Sequence, residues 1–167
     1  MAHFAYMDSN NVVERIVVVS DNLTQDENGD ESEAVGIAWL QSRGWNESGK
    51  YWKQCSFNTR RGQHILGGTP FRKNFPGRNY VYNASDDSFN PPRPTDKDGE
   101  SCASFTLNNT TGDWDPPLSR PSDDVANAIL EYDAANDRHN ITNGPLKTYF
   151  WDESLYQSDN TKGWVEA

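Results

Sequence analysis

The chain has 167 residues, 15 basic against 25 acidic, and a net charge of −10. That balance argues against general nucleic-acid binding, because phosphate is repelled by an acidic surface. Apolar residues make up only 34% of the chain and aromatics 12%, which points to thin β layers packed by aromatic rings and not to a thick aliphatic core. No apolar run approaches the length of a membrane span, so no membrane partner is expected.

In chain order, Ala2 to Met7 and Val12 to Ser20 flank Asp8-Ser9-Asn10-Asn11 and read as an opening β-hairpin. The second strand is rich in β-branched residues and reads as interior to a sheet. Asp21 to Ser32 is an acidic loop. Glu33 to Arg43 carries a partial helical stripe through Ala34, Ile37, Ala38 and Leu40, with Gly44 as its stop and Gly36 as its weak point. Next comes Trp52 to Tyr82, punctuated by Gly62, Gly67, Gly68, Pro70, Pro76 and Gly77, through which no helix can run. Within it Arg60 to Arg78 is basic, in contrast to the rest of the chain. Its flanking aromatics, Trp52, Phe57, Tyr80 and Tyr82, are assigned to packing.

A pattern then repeats. Tyr80 to Phe89 is followed by Asn90-Pro91-Pro92, and Phe105 to Trp114 by Asp115-Pro116-Pro117. Each has an aromatic, a polar turn, a second aromatic nine positions later, then one polar residue and two prolines. Tyr149 to Val165 is a longer version without the prolines. These read as three β-hairpins with cross-strand aromatic pairs, the prolines ending ladder pairing. Between the second and third, Ser122 to Ala135 has a helix start at Ser122-Asp123-Asp124 and helical spacing through Val125, Ala126, Ile129, Leu130 and Tyr132. Arg138 to Leu146 reads as loop.

The fold expected is therefore mainly β (α+β): serial β-hairpins and small antiparallel sheets with aromatic packing and two short helices. It divides into residues 1–79, holding the first hairpin, the helix and the glycine-rich loops, and residues 80–167, holding three hairpins and an inserted helix. One compact domain is the alternative arrangement.

The chemistry-bearing residues do not assemble into a catalytic set. His3, His64 and His139 stand apart from one another and from Cys55 and Cys102, without the paired short spacings of a zinc site. Asp26 to Glu31 fails as an EF-hand: its glycine comes early and Ile37 stands where the bidentate Glu belongs, so a solvated acidic turn is favoured over a cation site. Leu66 to Pro70 lacks the Gly-Lys-Ser/Thr ending of a phosphate loop. No Gly-x-Ser-x-Gly elbow is present, and nothing selects the two carboxylates that a glycan hydrolase requires. No catalytic residue, metal or cofactor is expected. No charged-then-apolar leader opens the chain, so synthesis in a cytoplasm and reduced thiols are expected.

Several stretches carry a resemblance. Met1-Ala-His-Phe-Ala5 runs into a Val/Ile-rich strand. Trp52-Lys-Gln-Cys-Ser-Phe-Asn-Thr59 and Leu66-Gly-Gly-Thr-Pro-Phe-Arg-Lys-Asn-Phe-Pro-Gly77 follow, then the Trp114-Asp-Pro-Pro117 and Phe150-Trp-Asp-Glu153 hairpins. Together they resemble a family of small virion-associated proteins of marine tailed bacteriophages, chiefly those of cyanobacteria. The resemblance covers most of the chain and departs at Asp115 to Lys147, where the family passes quickly from the second hairpin to the third. It implies a structural, non-enzymatic virion protein assembled in the host cytoplasm, in multiple copies and with other virion proteins as partners. The leading expectation is a capsid decoration or cement protein docked on the major capsid protein. The alternative is a tail, neck or fibre-associated protein contacting host-surface glycans. The expected docking set is Arg60, Arg61, Phe71, Arg72, Lys73, Phe75 and Arg78, since arginine and aromatic side chains concentrate energy at interfaces.

Overall fold

The computed structural model describes residues 1–68, 70–121, 130–133, 138–141 and 148–166. It is mainly β, built of small antiparallel sheets with two short helices. Among the described residues no helix is long and apolar enough to cross a membrane. The chain divides into two compact units, Met1–Pro92 with Leu107–Trp114, and Arg93–Thr106 with Asp115–Ala167. The boundary expected after residue 79 thus falls inside the first unit, because hairpin 80–90 packs with the opening strands.

The first unit centres on β1 (Ala2–Met7), which pairs antiparallel with β2 (Val13–Val19) on one side and β3 (Tyr51–Cys55) on the other. Both faces of β1 are covered, so its residues are buried almost without a break. Side chains alternate along a strand. Ala2, Phe4 and Tyr6 accordingly join Val19, Leu40 and Trp52 on the face covered by α1 (Glu33–Ser42). Ala5 and Met7 join Val13, Cys55, Tyr82 and Phe89 on the other. Val13 reaches that second face because the register slips: Tyr6 pairs with Arg15 but Met7 with Val13, leaving Glu14 as the extra residue of a bulge. One inserted residue reverses which face the following side chains take. Beyond the bulge, Val13 N–H donates to the Tyr80 carbonyl at 2.8 Å and Tyr82 N–H to that of Asn11 at 2.9 Å, joining the β2 start to the next hairpin.

Gly36, a poor helix residue, is explained by packing. A Cβ there would meet the Phe4 ring at 2.2 Å, so the missing side chain lets α1 lie directly on Phe4. Burying that ring is worth about 2–3 kcal/mol, more than the roughly 1 kcal/mol that glycine costs a helix. Gly44 closes the helix with φ +85, in keeping with the expected stop.

The hairpin of β6 (Val81–Asn83) and β7 (Ser88–Asn90) pairs Tyr82 with Phe89, their rings 5.3 Å apart. The partner of Phe89 is therefore Tyr82, while Tyr80 serves the ladder to β2. The next hairpin, β8 (Thr106–Asn108) and β9 (Asp113–Asp115), lacks the expected aromatic pair. Phe105 precedes β8 and packs instead on Trp151 within the second unit, at 5.2 Å.

In the second unit, β10 (Leu130–Asp133) pairs with β11 (Arg138–Ile141), Leu130 opposite Ile141 and Asp133 opposite Arg138. Over these eight residues this corrects the helix expected from Ser122 to Ala135 and the loop expected from Arg138 to Leu146. Leu130 and Tyr132 each fit a helical spacing with Val125, Ala126 and Ile129, but two residues apart they share a face only on a strand, and a partner strand satisfies the backbone. Residues 122–129, 134–137 and 142–147 lie outside the described set. The last hairpin, β12 (Tyr149–Trp151) with β13 (Trp164–Glu166), places Trp151 opposite Trp164 at 5.2 Å, as expected. The second helix sits inside it: α2 (Glu153–Ser158), capped by Asp152, whose Oδ1 accepts from Leu155 N–H at 2.8 Å. Glu153, buried, accepts from Ser104 N–H and Oγ, Trp151 Nε1 and Gln157 Nε2 at 2.7 to 3.0 Å.

Three loops share one construction. Asp8, Asp26 and Asp96 each accept, through Oδ1, the N–H groups two and four residues on. The donors are Asn10 and Val12, Asn28 and Asp30, and Asp98 and Glu100, all at 2.8 to 3.1 Å. In each, the residue three on donates to the head carbonyl, and the head N–H donates to the carbonyl four on. The third residue is left-handed: Asn11 at φ 65, Gly29 at φ 86 and Gly99 at φ 83. This is a three-residue hairpin loop ending in a glycine-type bulge. It also accounts for Asp26, whose carboxylate is occupied by the turn it heads.

Candidate docking face

The basic stretch of the first unit splits into a buried ionic knot and a displayed hairpin. The knot is built on Arg72, whose side chain is only 7% exposed. Its guanidinium contacts Glu33 at 2.8 Å, the Gln54 carbonyl at 2.7 Å and Asp87 at 3.2 Å, and stacks over the Phe71 ring at 4.8 Å. Lys73 Nζ pairs with Asp86 at 3.1 Å and donates to the Asn109 carbonyl. Both residues are left-handed, at φ 56. Consecutive non-glycine residues there carry strain on the order of 1–3 kcal/mol each, and the side-chain anchors offset it. Arg72 and Lys73 are thus spent on holding the fold, which corrects their expected place on a docking surface. Phe71 and Phe75 are half-buried. Phe71 N–H donates to Thr59 Oγ1 at 2.8 Å and Phe75 N–H to the Thr59 carbonyl at 2.9 Å, tying both to the hairpin that follows.

That hairpin is β4 (Thr59–Arg60) and β5 (Gln63–His64), joined by Arg61 at φ 51 and Gly62 at φ 76. Two positive φ values make the mirror-image turn that suits tight hairpins. Thr59 is buried while Arg60 and Arg61 point to solvent. Arg61 pairs with Asp113 at 3.2 Å. Arg60 and Arg78 are exposed, and no carboxylate among the described residues forms an ion pair with either.

Around the hairpin lie apolar side chains that sequence reasoning had not placed there. Phe57 is 65% exposed, Ile65 63% and Leu66 75%. Phe57 was assigned to packing; its ring instead stands on the surface, stacked on His3 at 6.2 Å and edge-on to Phe75 at 5.4 Å. It separates two clefts. One, of about 250 Å³, is lined by His3, Glu31, Gln54, Asn58, His64 and Phe71 among others. The other, of about 270 Å³, is lined by Thr59, Arg60, Asn74, Phe75, Tyr80 and Asp113. A sequence signal for Ile65 and Leu66 did exist. They stand between a two-residue strand and Gly67-Gly68, with no element long enough to bury them.

The titratable groups at this face are set for structure. Burial pushes the Cys55 thiol up to about 12, so it carries no thiolate nucleophile. Burial, and then the charged N-terminus, lowers the His3 pKa. Among the described residues no three His, Cys, Asp or Glu side chains converge as a metal site, and Cys55 and Cys102 are both buried and free. The chain matches no known protein family, no curated protein and no solved structure.

Proposed function

We propose that this chain is a non-enzymatic virion structural protein of a tailed bacteriophage that decorates the capsid, docking on the major capsid protein through the Phe57–Gly68 face. The observation that carries the reading is the placing of three exposed apolar side chains, Phe57, Ile65 and Leu66, on and around the hairpin that displays Arg60, with Arg78 of the same stretch also exposed, neither arginine having an ion-pair partner among the described residues. Fully covering a side chain of this size is worth about 1.5–3 kcal/mol. Arginine at the edge of such a patch selects a partner that offers carboxylates around an apolar depression. The net charge of −10 on the whole chain keeps undocked copies apart in solution. The resemblance to virion-associated proteins supports the particle as the place of docking.

The test is reconstitution. Particles lacking the protein are mixed with purified wild type or with the double variant Arg60→Glu, Arg78→Glu, and bound protein is separated by sedimentation. We expect the variant to bind at least roughly tenfold more weakly, from the loss of charge pairs at the rim. Undiminished binding would sink the docking face. Copy number by quantitative mass spectrometry should scale with the capsid lattice; a number fitting only a tail ring would overturn the capsid placement.

A further inference from the structure

His64 heads a fourth loop built like those of Asp8, Asp26 and Asp96. Its Nδ1 accepts from Leu66 N–H at 3.3 Å and Gly68 N–H at 3.0 Å, two and four residues on. Gly67, three on, donates to the His64 carbonyl at 2.9 Å and is left-handed at φ 75. Two features set this loop apart. The aspartate loops are also closed by a bond from the head N–H to the fourth carbonyl. His64 makes no such bond among the described residues, so its ring nitrogen carries the closure. The ring is also seated against the loop backbone: a Cβ on Gly68 would meet its Cε1 at 3.0 Å and Nδ1 at 3.1 Å.

A ring nitrogen accepts a hydrogen bond only while unprotonated. With Nδ1 accepting, the neutral imidazole carries its hydrogen on Nε2. A second proton must go to Nδ1, where it turns the acceptor of two backbone N–H groups into a donor aimed at them. A carboxylate head goes on accepting far below neutrality, whereas histidine is the side chain that changes charge between about pH 5 and 8. What this loop holds is the display of Ile65 and Leu66.

We propose that His64 is a proton-operated latch on the docking loop, holding Ile65 and Leu66 in place when neutral and releasing them, with loss of docking, when protonated. The gating rests on the docking reading above; the latch rests on the loop geometry alone. The other titratable groups lining the cleft beside the ring are Glu31, His3, Cys55 and the Met1 amine, and on the same hairpin Arg60 and Arg61. Cys55 stays a thiol, the Met1 amine pairs with Asp21, and Glu31 accepts from Gln54 Nε2 at 2.6 Å. His3 is the neighbour that could imitate the response, and it therefore needs its own control.

The test follows the Leu66 and Gly68 amides by ¹⁵N NMR of the full chain from pH 8 to pH 5. Wild type is compared with His3→Asn and with two replacements that keep an acceptor at the head, His64→Asp and the uncharged His64→Asn. Binding to particles is measured at both pH values. In wild type and His3→Asn the two amides should shift together with the His64 ring resonances, and docking should weaken roughly tenfold, the worth of two lost hydrogen bonds at about 0.7 kcal/mol each. In both His64 variants the amides and docking should hold steady. Amides indifferent to pH in wild type would overturn the latch. A response abolished by His3→Asn would also overturn it. Amides that respond while docking is equal at both pH values would overturn the gating. Absence of docking at both pH values would overturn the docking reading and the gating together, with the amide shifts still deciding the latch.

Discussion

Arg72 and Arg60 belong to one glycine-punctuated stretch and do opposite things. Arg72 meets Glu33 from the start of α1 and Asp87 from the β6–β7 turn, and its side chain is 7% exposed. Arg60, on a two-residue strand, meets no such partner among the described residues and stays in solvent. Local composition is the same for both. What separates them is which carboxylates distant parts of the chain deliver, and so a basic, aromatic segment is not by itself a surface.

The largest way to break this contrast is Arg72→Ala. Removing one partner of a buried ion pair leaves the others desolvated and unmatched, a cost of about 3–5 kcal/mol in closed interiors. Glu33 and Asp87 retain some access to water, so we expect about 3 kcal/mol by urea denaturation. Arg60→Ala in the same assay should be silent. A loss below about 1 kcal/mol for Arg72→Ala would show that the knot is not what holds the left-handed pair Arg72-Lys73. The same logic disqualifies charge reversal at Arg72 or Lys73 as a test of docking, since it would loosen the fold before it touched a partner.

The contrast also marks what was legible beforehand. The opening hairpin, α1 and the hairpins β6–β7, β8–β9 and β12–β13 were readable because each is specified locally, by alternation, a polar turn and a stop. The expected bounds Ala2 to Met7 and Glu33 to Arg43 lie within a residue of β1 and α1. The bulge at Glu14 was not readable, because it answers to the demand that Val13 and Met7 share a face. Nor was the strand at Leu130–Asp133, where Leu130 and Tyr132 fit the helical spacing of the residues before them as well as the alternation of a strand, and the partner strand decides. Of the residues expected at a docking face, Arg60, Arg61 and Arg78 are exposed, whereas Arg72 and Lys73 are drawn into ion pairs and Phe57, Ile65 and Leu66 stand in solvent instead. That exchange depends on Glu33, Asp86 and Asp87, whose proximity no local pattern encodes.

A second region sharpens the comparison through pH. In the second unit Glu153 is buried as Arg72 is in the first, and both of its carboxylate oxygens accept hydrogen bonds. Burial alone would raise its carboxyl; donors from Trp151, Gln157 and Ser104 outweigh burial and hold it below the ordinary carboxylate range. A carboxylate whose folded pKa is depressed stabilises the fold fully above its unfolded value, and that stability is lost as pH falls through the folded value. The second unit should therefore weaken from the ordinary glutamate value of 4.5 downward. Trp151 fluorescence should follow the loss, its indole being a donor to Glu153 at 2.8 Å. Glu153→Gln should cost about 1.5–2 kcal/mol at neutral pH, the lower end of the worth of hydrogen bonds to a charged group, and should flatten the acid slope. An unchanged slope in that variant would place the acid sensitivity elsewhere.

The smallest expected effect tests the displayed side of the contrast most directly. Leu66→Ser removes a side chain already 75% exposed in the folded chain, so unfolding uncovers little more of it. Substitutions at such positions stay within about 0.5 kcal/mol. Stability by urea denaturation should accordingly not move, while docking to particles should fall, because the only place Leu66 can be covered is against a partner. The pairing of these two readouts is what gives the variant its force. A docking loss accompanied by a core-sized loss of stability would mean that Leu66 folds back onto its own chain in solution. The displayed tip would then be packing of the same kind as Arg72, and the distinction between knot and hairpin would fail.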